Sequence, residues 1–328
     1  MSDPRHAVPV RVLVTGATGV IGRRVVPQLV ARGHRVTAVA RTPEKRALLA
    51  GWGADAIALD LLDADGTRRA LAGHDVVLNL ATHMPSSMLR MLLPWAWREN
   101  DRLRREGSAN LVDAAFAVGA ARFIQESFAP VYEEGGDRWL DEQWPVRPAP
   151  YNRTVLDAEA SAARFTAAGG AGVVLRFGGF YGPDPFLRDM TRVVRRGWSP
   201  LPGPAGAYWS SVSHHDAATA VVAALEVPAG TYNVVDDEPL SRRAWADALA
   251  EALGVSPPRL VPAWLTALGG KTMELGSRSL RVTNAKLKGA SGWAPRWPSA
   301  RNGLREAVQA LGRDAPRGAT LRPLRRSR

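Results

Sequence analysis

Apolar positions along the 328-residue chain fall into short buried runs that alternate with helical stripes. The first run, VLV at 12–14, leads into glycines at 16, 19 and 22. Residues 23–32 follow with Val25, Val26, Leu29 and Val30 at helical spacing, and Pro27 stands in the first turns, where proline is tolerated. Short strands are expected at 34–41 (HRVTAVAR), 54–61 (ADAIALDL) and 75–80 (DVVLNL). A long helix is expected over 98–118, where Leu103, Leu111, Val112, Ala115 and Phe116 keep helical register. A fifth strand is RFIQESF at Arg122–Phe128, a helix is expected at 151–168, and a sixth strand is GVVLRFGGF at 172–180. Strands and helices alternating at this spacing imply an α/β fold, a doubly wound parallel sheet with right-handed crossovers.

Beyond Tyr181 the pattern loosens. Helices are expected at 186–196, 213–225 and 301–311, and a strand at 231–235. Ser241 is placed to cap a helix whose face carries Trp245, Leu249 and Leu253. Residues 257–270 are punctuated by proline. These segments suggest a Rossmann domain at 8–180, with 210–236 returning to it, and a smaller C-terminal substrate-binding lobe from 181–209 and 237–312. The stretches 130–150 and 200–206 read as loops over the site. An apolar insertion at 85–97, with Met84 just before it and Met88, Met91, Trp95 and Trp97 inside it, either walls a substrate pocket or packs as a surface helix.

The stretch VLVTGATGVIG, residues 12–22, carries the clearest chemistry. Gly16 permits a tight turn out of a buried strand, Gly19 lets backbone approach a pyrophosphate, and Gly22 lets the next helix pack close. The amides over residues 16–22, Thr18, Val20 and Ile21 among them, then face phosphates at the positive end of the helix. The motif gains force because a strand precedes it and a helix follows. At the end of the second strand stands Arg41, in the run Arg41-Thr42-Pro43-Glu44-Lys45-Arg46, where an acid would favour NAD. An arginine there suits a 2′-phosphate, so NADP(H) is expected over NAD(H); the competing reading is a solvated surface arginine. Asp60 and Leu61, ending the third strand, are expected beside the adenine.

Composition narrows the rest. There is no cysteine, hence no disulfide, thiolate metal site or cysteine nucleophile. The first residues lack the apolar core of a signal peptide, and no apolar run is long enough to span a bilayer, so a soluble, cytoplasmic protein is expected. Net charge is +12; the segment 313–328, with six Arg and one Asp, supplies +5 and reads as a solvated, disordered tail. The body carries no basic helix or aromatic platform to match it, which argues against a nucleic-acid partner. His214 and His215 precede Asp216 at a helix start, where capping and packing explain them better than metal binding.

Together TGATGVIG, Asp60-Leu61, Leu80-Ala81-Thr82, RFIQES, Tyr151, LRFGGFYGP, TYNVVDDEPLS and the terminal GWAPRW resemble the extended short-chain dehydrogenase/reductases, the NAD-dependent epimerase/dehydratase group. The likeness spans roughly residues 10–312, with its motifs in order. It implies that Leu80, Ala81, Thr82, Tyr151, Phe177 and Gly178 belong to the cofactor site. It implies Tyr151 as the acid/base of a YxxxK motif, a nearby Ser or Thr that polarises the substrate oxygen, and a homodimer through the helices at 98–118 and 151–168. A free tyrosine has a pKa near ~10 and needs a cation close by to work as a base at neutral pH.

The chain departs from that pattern at several positions. Val155 stands where the lysine would be, Phe128 at the usual Ser/Thr position, Ala129-Pro130 where dehydratases carry Asp-Glu, and Arg104 where the helix asparagine stands. Ser127 lies one residue early and, by strand alternation, faces the other way unless the strand bulges. Tyr151, with Ser127, Glu126 or His83, is then the candidate catalytic group; each also has a bland reading as a cap, a strand-end hydroxyl or a surface carboxylate. Three functions stay open: an NADP(H)-dependent oxidoreductase acting on a carbonyl or alcohol of a small to medium, fairly apolar small-molecule substrate; a repurposed non-redox isomerase, lyase or cyclase; and a nucleotide-sensing regulator. No metal site is expected.

Overall fold

The computed structural model describes residues 9–85, 88–91, 93–261 and 277–313. β1 (Arg11–Thr15) is buried from Val12 onward and turns through Gly16 into α1 (Gly22–Ala31). Next come β2 (Arg35–Val39), α2 (Pro43–Gly51), β3 (Asp55–Ile57), α3 (Ala64–Leu71) and β4 (Val76–Asn79). Neither α2 nor α3 was expected from periodicity, yet both carry starting signals. Thr42 Oγ1 accepts the Lys45 amide, with Pro43 in the first turn, and Asp63 accepts the Gly66 amide.

A short turn α4 (Met88–Met91) and a 3₁₀ turn (Pro94–Trp97) lead to α5 (Arg98–Arg102), a π-helical turn (Leu103–Gly107) and α6 (Ser108–Ala117). The single helix expected over 98–118 is therefore interrupted. β5 (Arg122–Phe128) has its expected bounds and is followed by β6 (Trp139–Leu140) and α7 (Val155–Ala167). Tyr151 sits ahead of α7, in the 3₁₀ turn Pro150–Asn152, not in the helix itself. Then come β7 (Ala171–Phe177), β8 (Gly179–Tyr181), α8 (Pro185–Arg195), β9 (Tyr208–Trp209), β10 (Ser211–Ser213) and α9 (His214–Ala223). β11 (Gly230–Val234), β12 (Leu240–Ser241), α10 (Arg242–Leu253), β13 (Arg281–Val282) and two helices, Ala285–Ser291 and Ala300–Arg313, complete the described chain.

Seven parallel strands form the central sheet, in the order β11-β7-β5-β4-β1-β2-β3. One face buries Val12, Val14 and Ile124 against Val25, Leu29, Ala217 and Val221 of α1 and α9. The other buries Leu13, Val77 and Phe123 against Leu71, Leu111, Val112 and Phe165 of α3, α6 and α7. A separate cluster joins Leu187 and Val194 of α8, Trp245 and Leu249 of α10, and Leu304. The run expected as one strand at 172–180 breaks at Gly178. A Cβ there would stand 2.8 Å from the Ser210 carbonyl oxygen, so β8 leaves the sheet and pairs with β10 instead.

Strand order reverses between β1 and β4, the switch point where sheets of this kind open a crevice past their carboxyl ends. Among the described residues no helix is long and apolar enough to cross a membrane, and no group of His, Asp or Glu is placed to hold a metal ion. The tail beyond residue 313 and part of the 257–270 segment lie outside the described residues.

Candidate active site

At the switch point Gly16 adopts φ +64°, and a Cβ there would stand 2.2 Å from the Leu80 carbonyl oxygen. Only glycine lets the ends of β1 and β4 come this close. At Gly22 a Cβ would meet the Gly16 carbonyl oxygen at 2.3 Å, so α1 starts hard against the turn. Gly19 is exposed at the crest, with Val20 beside it; its amide donates to the Gly16 carbonyl at 2.9 Å. Thr18 is half-buried and Ile21 buried. No side chain caps α1 and no acid stands in its first turn, which holds Arg23 and Arg24 instead. Cations at that end oppose the helix dipole. A bound phosphate reverses the balance, so the turn fits a dinucleotide's anionic centre.

The rim beside this turn is basic. Arg41 is exposed, and Arg46 Nη1 donates to the carbonyls of Ala40 (3.3 Å) and Arg41 (3.1 Å) at the end of β2. Asp60 is exposed and accepts the Leu62 amide, while buried Leu61 is tied to α6 through Asn110 Nδ2 at 2.9 Å. Leu80 is buried, Ala81 half-buried and Thr82 exposed past the end of β4.

Beneath the carboxyl edge runs a buried polar chain. Thr15 Oγ1 donates to Asn79 Oδ1 (2.6 Å), and Asn79 Nδ2 donates to Gln125 Oε1 (2.9 Å) and Ser108 Oγ (3.1 Å). Gln125 Nε2 donates in turn to the Glu126 carbonyl at 2.8 Å. The Glu126 side chain, 14% exposed, accepts from Arg104 Nη2 at 3.3 Å, and Arg104 itself is 4% exposed on the π turn.

Ser127 goes elsewhere. Fully buried, it donates to Glu159 of α7, whose carboxylate also takes two bonds from Arg176, at 2.8 and 2.6 Å. Burial alone would lower the Arg176 pKa; the bond and charge of Glu159 outweigh it and raise it. The structure thus brings Glu126 to Arg104 and Ser127 to Glu159, and it does not bring the two candidates together. Sequence reasoning missed Glu159, Arg176 and Asn79. For Glu159 a signal existed: it lies four residues after Val155, a lone acid on the stripe of α7 that buries Ala158 and Ala162.

Residues 16–228 match the family model described as NAD(P)H-binding. The chain is 37% identical over 306 residues to a Streptomyces protein named 3-diazoavenalumate denitrifying reductase, covering 90% of this chain and 99% of the relative. The chain belongs to the extended short-chain dehydrogenase/reductases. A second relative is the 4-hydroxy-2-methyl-3-oxo-4-farnesyl-3,4-dihydroquinoline-1-oxide ketoreductase of Stigmatella aurantiaca, 27% identical, covering 93% of this chain and 87% of its own. Among solved structures, the UDP-glucose 4-epimerase of Thermus thermophilus in complex with NAD superposes with TM-score 0.74 at 27% identity, covering 93% and 99% of the two chains.

Around the start of α7 this short-chain dehydrogenase/reductase is closely packed. Val155 is fully buried at the start of α7. Thr154 beside it donates to Asp101 Oδ1 at 2.7 Å, which fastens α7 to α5. Past Phe128, the side chains of Ala129, Pro130, Trp209, Ser210, Leu280 and Val282 close on one another and leave no space for a water molecule. Trp209 presses on Gly179, where a Cβ would fall 2.4 Å from its ring, and the Arg242 guanidinium lies 5.3 Å over the same ring. Phe177 and Gly178 are buried where the chain leaves β7. His83 is exposed, its amide donating to Asn100 Oδ1 at 2.9 Å. In the apolar insertion Trp97 is buried and Trp95 exposed. His214 is buried with Nε2 3.3 Å from Asp184, and burial holds its pKa down despite that carboxylate.

Proposed function

We propose that this protein is an NADP(H)-dependent reductase of a small to medium, apolar substrate, working with a catalytic set that departs from its family's. The observation that carries the reading is the uncapped start of α1 behind Gly16, Gly19 and Gly22, set next to a basic rim at Arg41 and Arg46. Amides of residues 16–22 would hold the diphosphate, Arg41 the 2′-phosphate, and Asp60 and Leu61 the adenine side. Leu80, Ala81, Thr82, Phe177, Gly178 and Tyr151 would line the nicotinamide half. When bound, NADPH supplies a hydride from C4 of its nicotinamide.

Tyr151 is the proton donor in this reading. Without a lysine beside it, a phenol with a pKa near ~10 gives a proton more readily than it takes one, which favours reduction over oxidation. Ser127, committed to Glu159, serves the packing of α7 and not the substrate. The Stigmatella relative, named as a ketoreductase of a farnesylated ring, supports a carbonyl with apolar surroundings.

A second reading rests on Val155 and Phe128 together with the Streptomyces relative's name. A diazonium carbon that accepts a hydride becomes C–H and releases dinitrogen. No oxyanion forms and no proton is needed, so such a site can do without a lysine-activated tyrosine and a serine to polarise an oxygen.

The test is NADPH consumption with ring ketones and, separately, an aryl diazonium salt, the product read by mass spectrometry. The reading expects a reduced product and slower turnover with NADH. Nucleotide binding with no turnover on any carbonyl, alcohol or diazonium overturns it.

A further inference from the structure

The cation that the family carries on α7 is missing at Val155, but a buried cation stands across the same interface. Arg104 projects from the π turn between α5 and α6, and Nη2 reaches both oxygens of Glu126, at 3.3 and 3.5 Å. Its Nε has no hydrogen-bond partner among the described residues. Glu126 lies near the end of β5, beside β4 and opposite Leu175 of β7, at the carboxyl edge of the sheet and one strand beyond the β1–β4 switch point. Its main chain is fixed from below by Gln125, at the end of the polar chain that starts under Gly16.

Such a pair contributes little to stability alone, since desolvating two charges consumes most of the attraction between them. A π turn inside a helix is also rare and is frequently found at functional sites. Without that turn Arg104 would point elsewhere around the helix. Both features make sense if the pair does something at the crevice.

We propose that Glu126 accepts the hydroxyls of the nicotinamide ribose and that Arg104 is the positioning residue that holds the Glu126 carboxylate aimed at them. The lysine of the family's YxxxK motif would also hold the nicotinamide ribose, and the pair takes over that part of its work. This rests on the NADP(H) reading above. A carboxylate accepts from two vicinal hydroxyls as well as an ammonium donates to them.

Calorimetry with NADPH and with 2′,5′-ADP, which lacks the nicotinamide ribose, tests it on the full-length protein. Two variants are compared with wild type: Glu126→Gln, and the double variant Arg104→Leu with Glu126→Leu, which leaves no orphan charge. Both should weaken NADPH by about ten-fold while 2′,5′-ADP stays within about two-fold. Unchanged NADPH binding in a double variant with wild-type circular dichroism overturns the assignment. Equal loss of both ligands also overturns it, because the effect is then not at the ribose. Wild-type protein that binds neither nucleotide overturns the NADP(H) reading and this one with it.

Discussion

Ser127 donates its hydroxyl proton to Glu159, and Arg176 grips the same carboxylate through two nitrogens. The three side chains pin α7 to β5 and β7 from inside. Removing one neutral donor and removing the acid therefore have very different costs. Ser127→Ala should lose about 1 kcal/mol, one hydrogen bond's worth, and leave turnover near wild type. Glu159→Leu strands a buried guanidinium and should lose about 3–5 kcal/mol, largely recovered by adding Arg176→Leu. Urea denaturation with a parallel rate assay separates these outcomes; a large rate loss in Ser127→Ala would return that hydroxyl to the chemistry.

The two glycines of the turn should fail in different ways. Gly16→Ala forces a Cβ into the Leu80 carbonyl and a side chain into positive φ, so the thermal midpoint should fall sharply. Gly19 is exposed, and its Cβ would meet only the Gly16 carbonyl oxygen, at 3.1 Å. Gly19→Asp should keep most of the melting temperature and abolish nucleotide heat in calorimetry, because a carboxylate then faces the phosphates. Retained binding in folded Gly19→Asp would remove the cradle from the account.

Arg41→Ala should raise the Kd for NADP(H) by about ten-fold and leave NAD(H) within about two-fold, since an exposed phosphate contact contributes little more than that. The NADP(H) loss should shrink as salt is added. Equal effects on the two nucleotides would assign Arg41 to ordinary solvation.

Asp236 gives a pH signature. Burial first, and the charge of Asp216 second, hold its carboxyl well above the usual carboxylate range. The folded protein keeps a proton that the unfolded chain releases near pH ~3.9, so the folded state binds more protons above that point. This contribution to stability is whole below the unfolded pKa and is lost as pH rises through the folded one. Asp236→Asn should flatten the fall and raise the urea midpoint at neutral pH relative to wild type. A steeper fall in the variant would contradict the direction given.

Much of the sheet was legible because parallel strands read as unbroken apolar runs, and β5 emerged with its bounds intact. The same property hid the break at Gly178: VVLRFGGF is equally apolar on both sides, and the bend is imposed by Ser210 from another strand. The π turn was invisible because one extra residue per turn barely disturbs the stripe of Leu103, Leu111 and Val112. At the site, the glycine turn is a local backbone requirement and can be read locally. The pairs Arg104–Glu126 and Ser127–Glu159 join residues from different elements, and only the packing of α6 and α7 on the sheet decides them.

The outermost strand, β11, reaches β7 only after the chain has passed through α8 and α9. During synthesis the amides and carbonyls along that flank of β7 stay unsatisfied until residue 234 has left the ribosome. A hydrophobic parallel strand left open in this way is a template for mispairing between nascent copies. Soluble yield in a heterologous host should therefore follow translation speed and chaperone supply more closely than the melting point of the finished protein.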